Sequence, residues 1–150
     1  MAKFTAEQAP HLSAIHQLIY QWGDELDVQS GLTIRASDVL TDDCRYNVGG
    51  EWRAGLAAVE GFYLARMERL TAAGGAPVMR HIISNIRVQF TGENTASTGY
   101  LLLFFAATGT APLDTCDPLA VADVKMDMRR EADGEWRISM FDSGQIFRRV

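Results

Sequence analysis

The chain has 150 residues, 47% of them hydrophobic and 22% charged, which is enough for one packed core and too short for two independent domains. A net charge of -5 at pH 7 excludes nucleic-acid backbone binding as the main business, because that affinity rests on Lys and Arg displacing counterions. No apolar run approaches the ~18 residues a membrane span needs, and MAKFTAEQAPHLSAI lacks the regions of a secretory signal, so a soluble cytoplasmic domain over residues 1–150 is expected. Cys44 and Cys116 match no metal spacing and read as two reduced thiols rather than a disulfide.

From Thr5 onward, Leu12, Ile15, Ile19, Trp22 and Leu26 recur at spacings of three and four, which predicts an amphipathic helix with one buried stripe. At ~100° per residue, His16, Tyr20 and Asp27 share the edge of that stripe, where a pocket rim would lie if the helix continues through Gly23. Polar residues beside a stripe are usually solvated, so both readings stay open. Gly31 breaks the pattern. TIRASDVLTDD then predicts a short second helix, CRYNV a strand carrying Tyr46, and Gly49–Gly50 a turn. RAGLAAVEGFYLARMERLTA gives a third helix on which Leu56, Val59, Phe62 or Tyr63, Arg66 or Met67, and Leu70 keep helical spacing. AGGAP closes it.

After Pro77 four β-rich runs follow, VMRHIISNIRVQF, TASTGYLLLFFAAT, LAVADVKMDMRRE and EWRISMFDSGQIF. TGEN and ADGE are short enough for hairpin turns, whereas GTAPLDTCDP is a longer loop. Helices first and an antiparallel meander afterwards is an α+β arrangement, with helices covering one face of a curved sheet. GYLLLFFAA is apolar on both faces, so its second face also needs cover; a homodimer through the open sheet face is expected.

His81, in RHIISNIRVQF, is the one histidine at the mouth of a strand, and simple alternation turns it away from the face shared by Ile82, Ile86, Val88 and Phe90. A β-bulge near Ser84 or Asn85 would reverse that orientation. The residue is therefore either a proton carrier aimed into a pocket or a polar group on the wet side. Asp123 and Lys125 share a strand face and read first as a solvated pair, and the six methionines as core filler. Three histidines without clustered Cys and carboxylate spacing give no dedicated metal site, and no dinucleotide, P-loop or serine-hydrolase motif occurs. Cofactor-independent acid–base chemistry on a small organic molecule survives this elimination.

The order of helices and meander, with LIYQWGDELD, LTDDCRYNVGG, RHIISNIRVQFTGENTASTGY and DGEWRIS, resembles the SnoaL-like family within the cone-shaped, cystatin-like fold of nuclear transport factor 2. Within that group the pattern is similar to scytalone dehydratase. The resemblance implies a pocket inside the cone in which Asp27 pairs with His81, and Tyr46 helps to hold the substrate carbonyl. The second histidine of that pattern, on the GYLLLFFAA strand, is missing, and Asp123 and Lys125 stand where Ser and Asn occur.

The implied activity is that of a cofactor-free, metal-free dehydratase or isomerase acting on a small cyclic or aromatic hydroxy-carbonyl compound. His81 would carry the proton, Asp27 would orient it, and Tyr46, with Tyr20, would donate to the enolate oxygen. Trp22, Phe62, Tyr63, Met67, Leu103 and Phe105 would form the walls, with Asp123 also contacting substrate. RMERLTAAGGAPVMRHIISNIRV is also similar to the small, non-catalytic beta subunit of aromatic-ring-hydroxylating dioxygenases, and a ligand-binding domain without chemistry is a third expectation.

Overall fold

In the computed structural model, which describes residues 4–28, 36–74, 78–114 and 117–149, Thr5 opens the first helical turn with a capping box. Its hydroxyl accepts the Gln8 N–H, and the Gln8 side chain accepts the Thr5 N–H. Helix α1 (Ala9–Asp27) follows, burying Ile15, Leu18, Ile19, Trp22 and Leu26 along one side, as their spacing requires. It runs unbroken through Gly23. That glycine is a close-approach site, because an added Cβ would sit 3.3 Å from Ile83 Cδ1 and 4.0 Å from His81 Cβ.

A single turn, α2 (Ala36–Val39), leads into β1 (Leu40–Val48). LTDD, expected at the end of a helix, is therefore strand; pairing of Leu40 with Ile138 overrides the local tendency. After the Gly49–Gly50 turn comes β2 (Glu51–Ala54), a short edge strand that the sequence pattern does not announce because its residues are largely exposed. Helix α3 (Leu56–Ala72) and the strands β3 (Val78–Gly92), β4 (Thr95–Ala107), β5 (Ala120–Arg130) and β6 (Trp136–Arg148) complete the order.

The sheet runs β2-β1-β6-β5-β4-β3, and among the described strands only β1 and β6 pair in parallel. The fold is α+β, with α1 packed on β3 and α3 on β1 over one face of the curved sheet. Trp22, Tyr46, Tyr100, Met126, Met128, Ile138 and Phe141 fill the space between. The opposite face is open, and Ile82 is half exposed on it. Cys44 is fully buried, and burial pushes its thiol up to about 11, which makes it an unreactive core residue. Gly31, Pro77 and Cys116 lie outside the described residues.

Two irregularities decide which residues face the interior. Between Ser84↔Leu101 and Arg87↔Gly99, Asn85 and Ile86 together oppose Tyr100, and Asn85 adopts φ 56°. This β-bulge inverts the alternation of β3. Met79, His81 and Ile83 point inward before it, and Ile86, Val88 and Phe90 after it. Ile82 is thereby corrected to the outer face. A second shift, between Asp127↔Met140 and Met128↔Ile138, turns Ile138 and Phe141 to the same side of β6.

Candidate active site

The inward residues of β3 meet the end of α1. Asp27 Oδ2 accepts the backbone N–H of His81 at 2.9 Å, and Asp27 Oδ1 lies 2.6 Å from the ring Nδ1. Both side chains are nearly out of solvent, at 13% and 8% exposure. The imidazole is further held by two rings, Trp22 in a T-shaped contact at 5.8 Å and Phe104 in a tilted one at 4.7 Å. With Nδ1 engaged by the carboxylate, Nε2 is the nitrogen left for the cavity that His81 lines.

That cavity has a volume of about 350 Å³ and is walled by Trp22, Leu26, Phe62, Tyr63, His81, Leu102, Phe104 and Phe141, with Arg66, Arg69, Ser143 and Gln145 as its polar members. The size and the largely apolar wall, with five aromatic rings, suit a small organic molecule. Residues 7–142 match the profile of the SnoaL-like domain. The chain belongs to the SnoaL-like family.

Solved structures with this SnoaL-like architecture share its fold at low identity. One from Novosphingobium aromaticivorans, provisionally named a scytalone dehydratase, is 14% identical over 96% of this chain and 89% of that one, with a TM-score of 0.76. One from Catenulispora acidiphila, in complex with S-DNPA, is 16% identical over 92% and 95%, TM-score 0.73. A protein from Nostoc punctiforme, described as having a cystatin-like fold, is 15% identical over 96% and 95%, TM-score 0.71. No curated protein matches the sequence.

Behind the cavity wall of this SnoaL-like domain runs a chain of hydroxyls. Trp22 donates its ring N–H to Tyr46 Oη at 2.9 Å, and Tyr46 Oη lies 2.8 Å from Tyr63 Oη. Tyr46 is fully buried, stacked on Phe141 at 4.4 Å, and it is Tyr63 that reaches the cavity. Burial pushes both phenols up, Tyr63 to about 12, so they are protonated donors at neutral pH. Tyr100 is shifted upward for the same reason, and its hydroxyl is buried without a hydrogen-bond partner among the described residues.

Several expected wall residues lie elsewhere. Leu103 and Phe105 stand on the outer face of β4, paired with the exposed Ile82 and Arg80, and Leu102 and Phe104 take their places at the cavity. A strand apolar on both faces does not reveal which face is inward. Asp123 is exposed on the outer face of β5, whereas Ala122 lines the cavity. Tyr20 is 47% exposed. It shares an azimuth with Asp27 on α1, but it does not line the cavity that His81 faces. On α3 the inward line is Phe62, Tyr63, Arg66 and Arg69, which leaves Met67 half-buried beside it. Ser143 and Gln145 were hidden from alternation by the register shift in β6, and the i, i+3 spacing of Arg66 and Arg69 was the available signal for the two cations.

Among the described residues no group of three or more His, Cys, Asp or Glu side chains could hold a metal ion. No helix there is long and apolar enough to cross a membrane.

Proposed function

We propose that this SnoaL-like domain, spanning the whole chain, is a cofactor-independent acid–base enzyme, a dehydratase or isomerase acting on a small cyclic or aromatic hydroxy-carbonyl compound. The observation that carries this reading is the Asp27–His81 pair in the wall of an aromatic cavity. Asp27 holds the Nδ1–H tautomer, so Nε2 takes the proton from the carbon next to the substrate carbonyl and the C–H electrons pass into an enolate. The neighbouring C–O bond then breaks, Nε2–H returns the proton to the departing hydroxyl, and water leaves with an unsaturated ketone in place. Asp27 stabilises the imidazolium between these steps.

Tyr63 supplies the hydrogen bond to the enolate oxygen. Tyr46 Oη accepts the Trp22 N–H, and in the arrangement proposed here it gives its own hydrogen to Tyr63, one of the two directions the 2.8 Å contact allows, which leaves the Tyr63 hydrogen for the cavity. Tyr46 is then a positioning residue behind Tyr63. In a non-catalytic subunit or a simple binding domain the Asp27–His81 pair would serve only to tie α1 to β3, with no chemical task for the ring nitrogen at the cavity. We further propose that the open sheet face, with Ile82, Leu101, Leu103 and Phe105, seats a second copy of the chain in the cytoplasm; a mass of one chain at all concentrations in light scattering refutes that part.

The test is a panel of hydroxylated tetralones in D2O. For 3-hydroxy-1-tetralone the expected readouts are deuterium entering next to the carbonyl and 1-naphthol forming by loss of water. Both are expected to fall by about 10²–10⁴-fold in His81→Ala. The reading is refuted if no panel member exchanges, or if exchange is the same without His81.

A further inference from the structure

Arg66 and Arg69 stand one turn apart on α3, and both line the cavity. Arg53, Arg129 and Arg137 are ion-paired with Glu51, with Asp43 and Glu131, and with Asp133, but neither cavity arginine has a carboxylate partner among the described residues. Arg66 rests its guanidinium 6.0 Å from the centre of the Phe104 ring and 3.6 Å from Met79 Sδ, contacts that leave most of its donors unused. The same Phe104 ring packs on His81 at 4.7 Å, so cation and imidazole are separated by about one aromatic side chain. Arg66 is half-buried in the apolar wall and Arg69 is exposed at its rim, so a ligand entering the cavity meets two cations that no described carboxylate offsets.

The geometry points to a substrate that carries a carboxylate, held by Arg66 and Arg69, with its ring against Phe62 and Phe104 and its reacting carbon at His81. This deepens, and rests on, the acid–base reading of the cavity: the substrate class becomes cyclic or aromatic hydroxy-keto acids. A guanidinium matches a carboxylate through paired N–H donors, which fixes the orientation of a flat molecule as well as holding it. The positive charge of Arg66 and Arg53 also reaches Tyr63, where it opposes the upward push of burial. One arginine thus serves both the acid group and the region in which the enolate would form.

The experiment is calorimetric titration with 2-naphthoate, its neutral isostere 2-naphthamide, and 2-naphthyl phosphate at low ionic strength. The acid is expected to bind about tenfold or more tighter than the amide, as charged hydrogen bonds allow. The preference is expected to vanish in Arg66→Gln/Arg69→Gln while the amide keeps its affinity, which shows the cavity intact, and to persist in part in Arg66→Lys/Arg69→Lys. Equal binding of acid and amide, binding of neither, a preference that survives the glutamine pair, or tighter binding of the phosphate overturns the proposal. An arginine-dependent preference alongside deuterium exchange that ignores His81→Ala keeps the carboxylate site and removes the acid–base reading. Exchange that needs His81, without any preference for the acid, removes the carboxylate site alone.

Discussion

Asp27→Asn changes one atom of the side chain and separates the two jobs of the carboxylate. Asp27 accepts from the His81 backbone N–H through one oxygen and faces Nδ1 with the other. An asparagine has only one acceptor oxygen. If that oxygen keeps the backbone N–H, which cannot move without breaking β3, the amide NH2 faces Nδ1 and requires a lone pair there. The imidazole proton then shifts to Nε2, and the nitrogen at the cavity loses its capacity to act as a base. The lost charge-assisted bond is worth about 1.5–3 kcal/mol, and a chain of this length loses roughly 2–4 °C in Tm per kcal/mol. The assay is the long-range ¹⁵N–¹H correlation spectrum of the histidine rings, with a thermal melt in parallel. Wild type is expected to carry the His81 proton on Nδ1 and the variant on Nε2, with Tm lower by several degrees. The same tautomer in both proteins, with an unchanged melt, refutes the reasoning.

Tyr46→Phe removes the acceptor of the Trp22 N–H and the partner of Tyr63 in a sealed region, so a loss of about 1–3 kcal/mol is expected in denaturant titration. Tyr100→Phe is the contrast: it deletes a buried hydroxyl with no partner among the described residues, so the melting temperature is expected to hold or rise, and a clear drop would contradict it. Since burial raises Tyr63 to about 12 and an unfolded phenol ionises near 10, its contribution to stability is complete below about pH 10 and is lost as pH rises through about 12. Absorbance at 295 nm against circular dichroism checks this, and full tyrosinate signal in a still-folded protein would contradict it. Gly23→Leu pushes into Ile83 and toward His81, and is expected to cost about 1–3 kcal/mol and to broaden or shift the His81 ring signals; a native melt and spectrum would show that β3 can yield.

The helices and the meander were legible because their signals are local. The stripe from Ile15 to Leu26 and the turns TGEN and ADGE need no knowledge of what packs against them. β2 was missed for the opposite reason: an exposed four-residue edge strand exists only because β1 offers it a partner. The association of Asp27 with His81 entered through family resemblance, since strand parity left His81 ambiguous until the bulge at Asn85 was seen. Leu103 and Phe105 show the limit of alternation, which groups residues by face without naming the face. Tyr20 shows that a shared helical azimuth does not give a shared environment, and Arg66 was passed over beside Met67 because a cation at a cavity wall carries no hydrophobic signal.

The bulge also acts as a reading frame for the cavity. Met79, His81 and Ile83 share the inner face with Val88 and Phe90 only because one extra residue is present at Asn85. Removing Asn85 while the Val88–Phe90 segment stays anchored in the core would turn His81 toward the outer face and bring the Ile82 side chain in. A histidine-bearing cavity would become an aliphatic one with every side chain of the proposed site still encoded. Within a fold of this kind, gain or loss of chemistry can therefore be a matter of strand length alone, invisible to any comparison that scores residues without counting them.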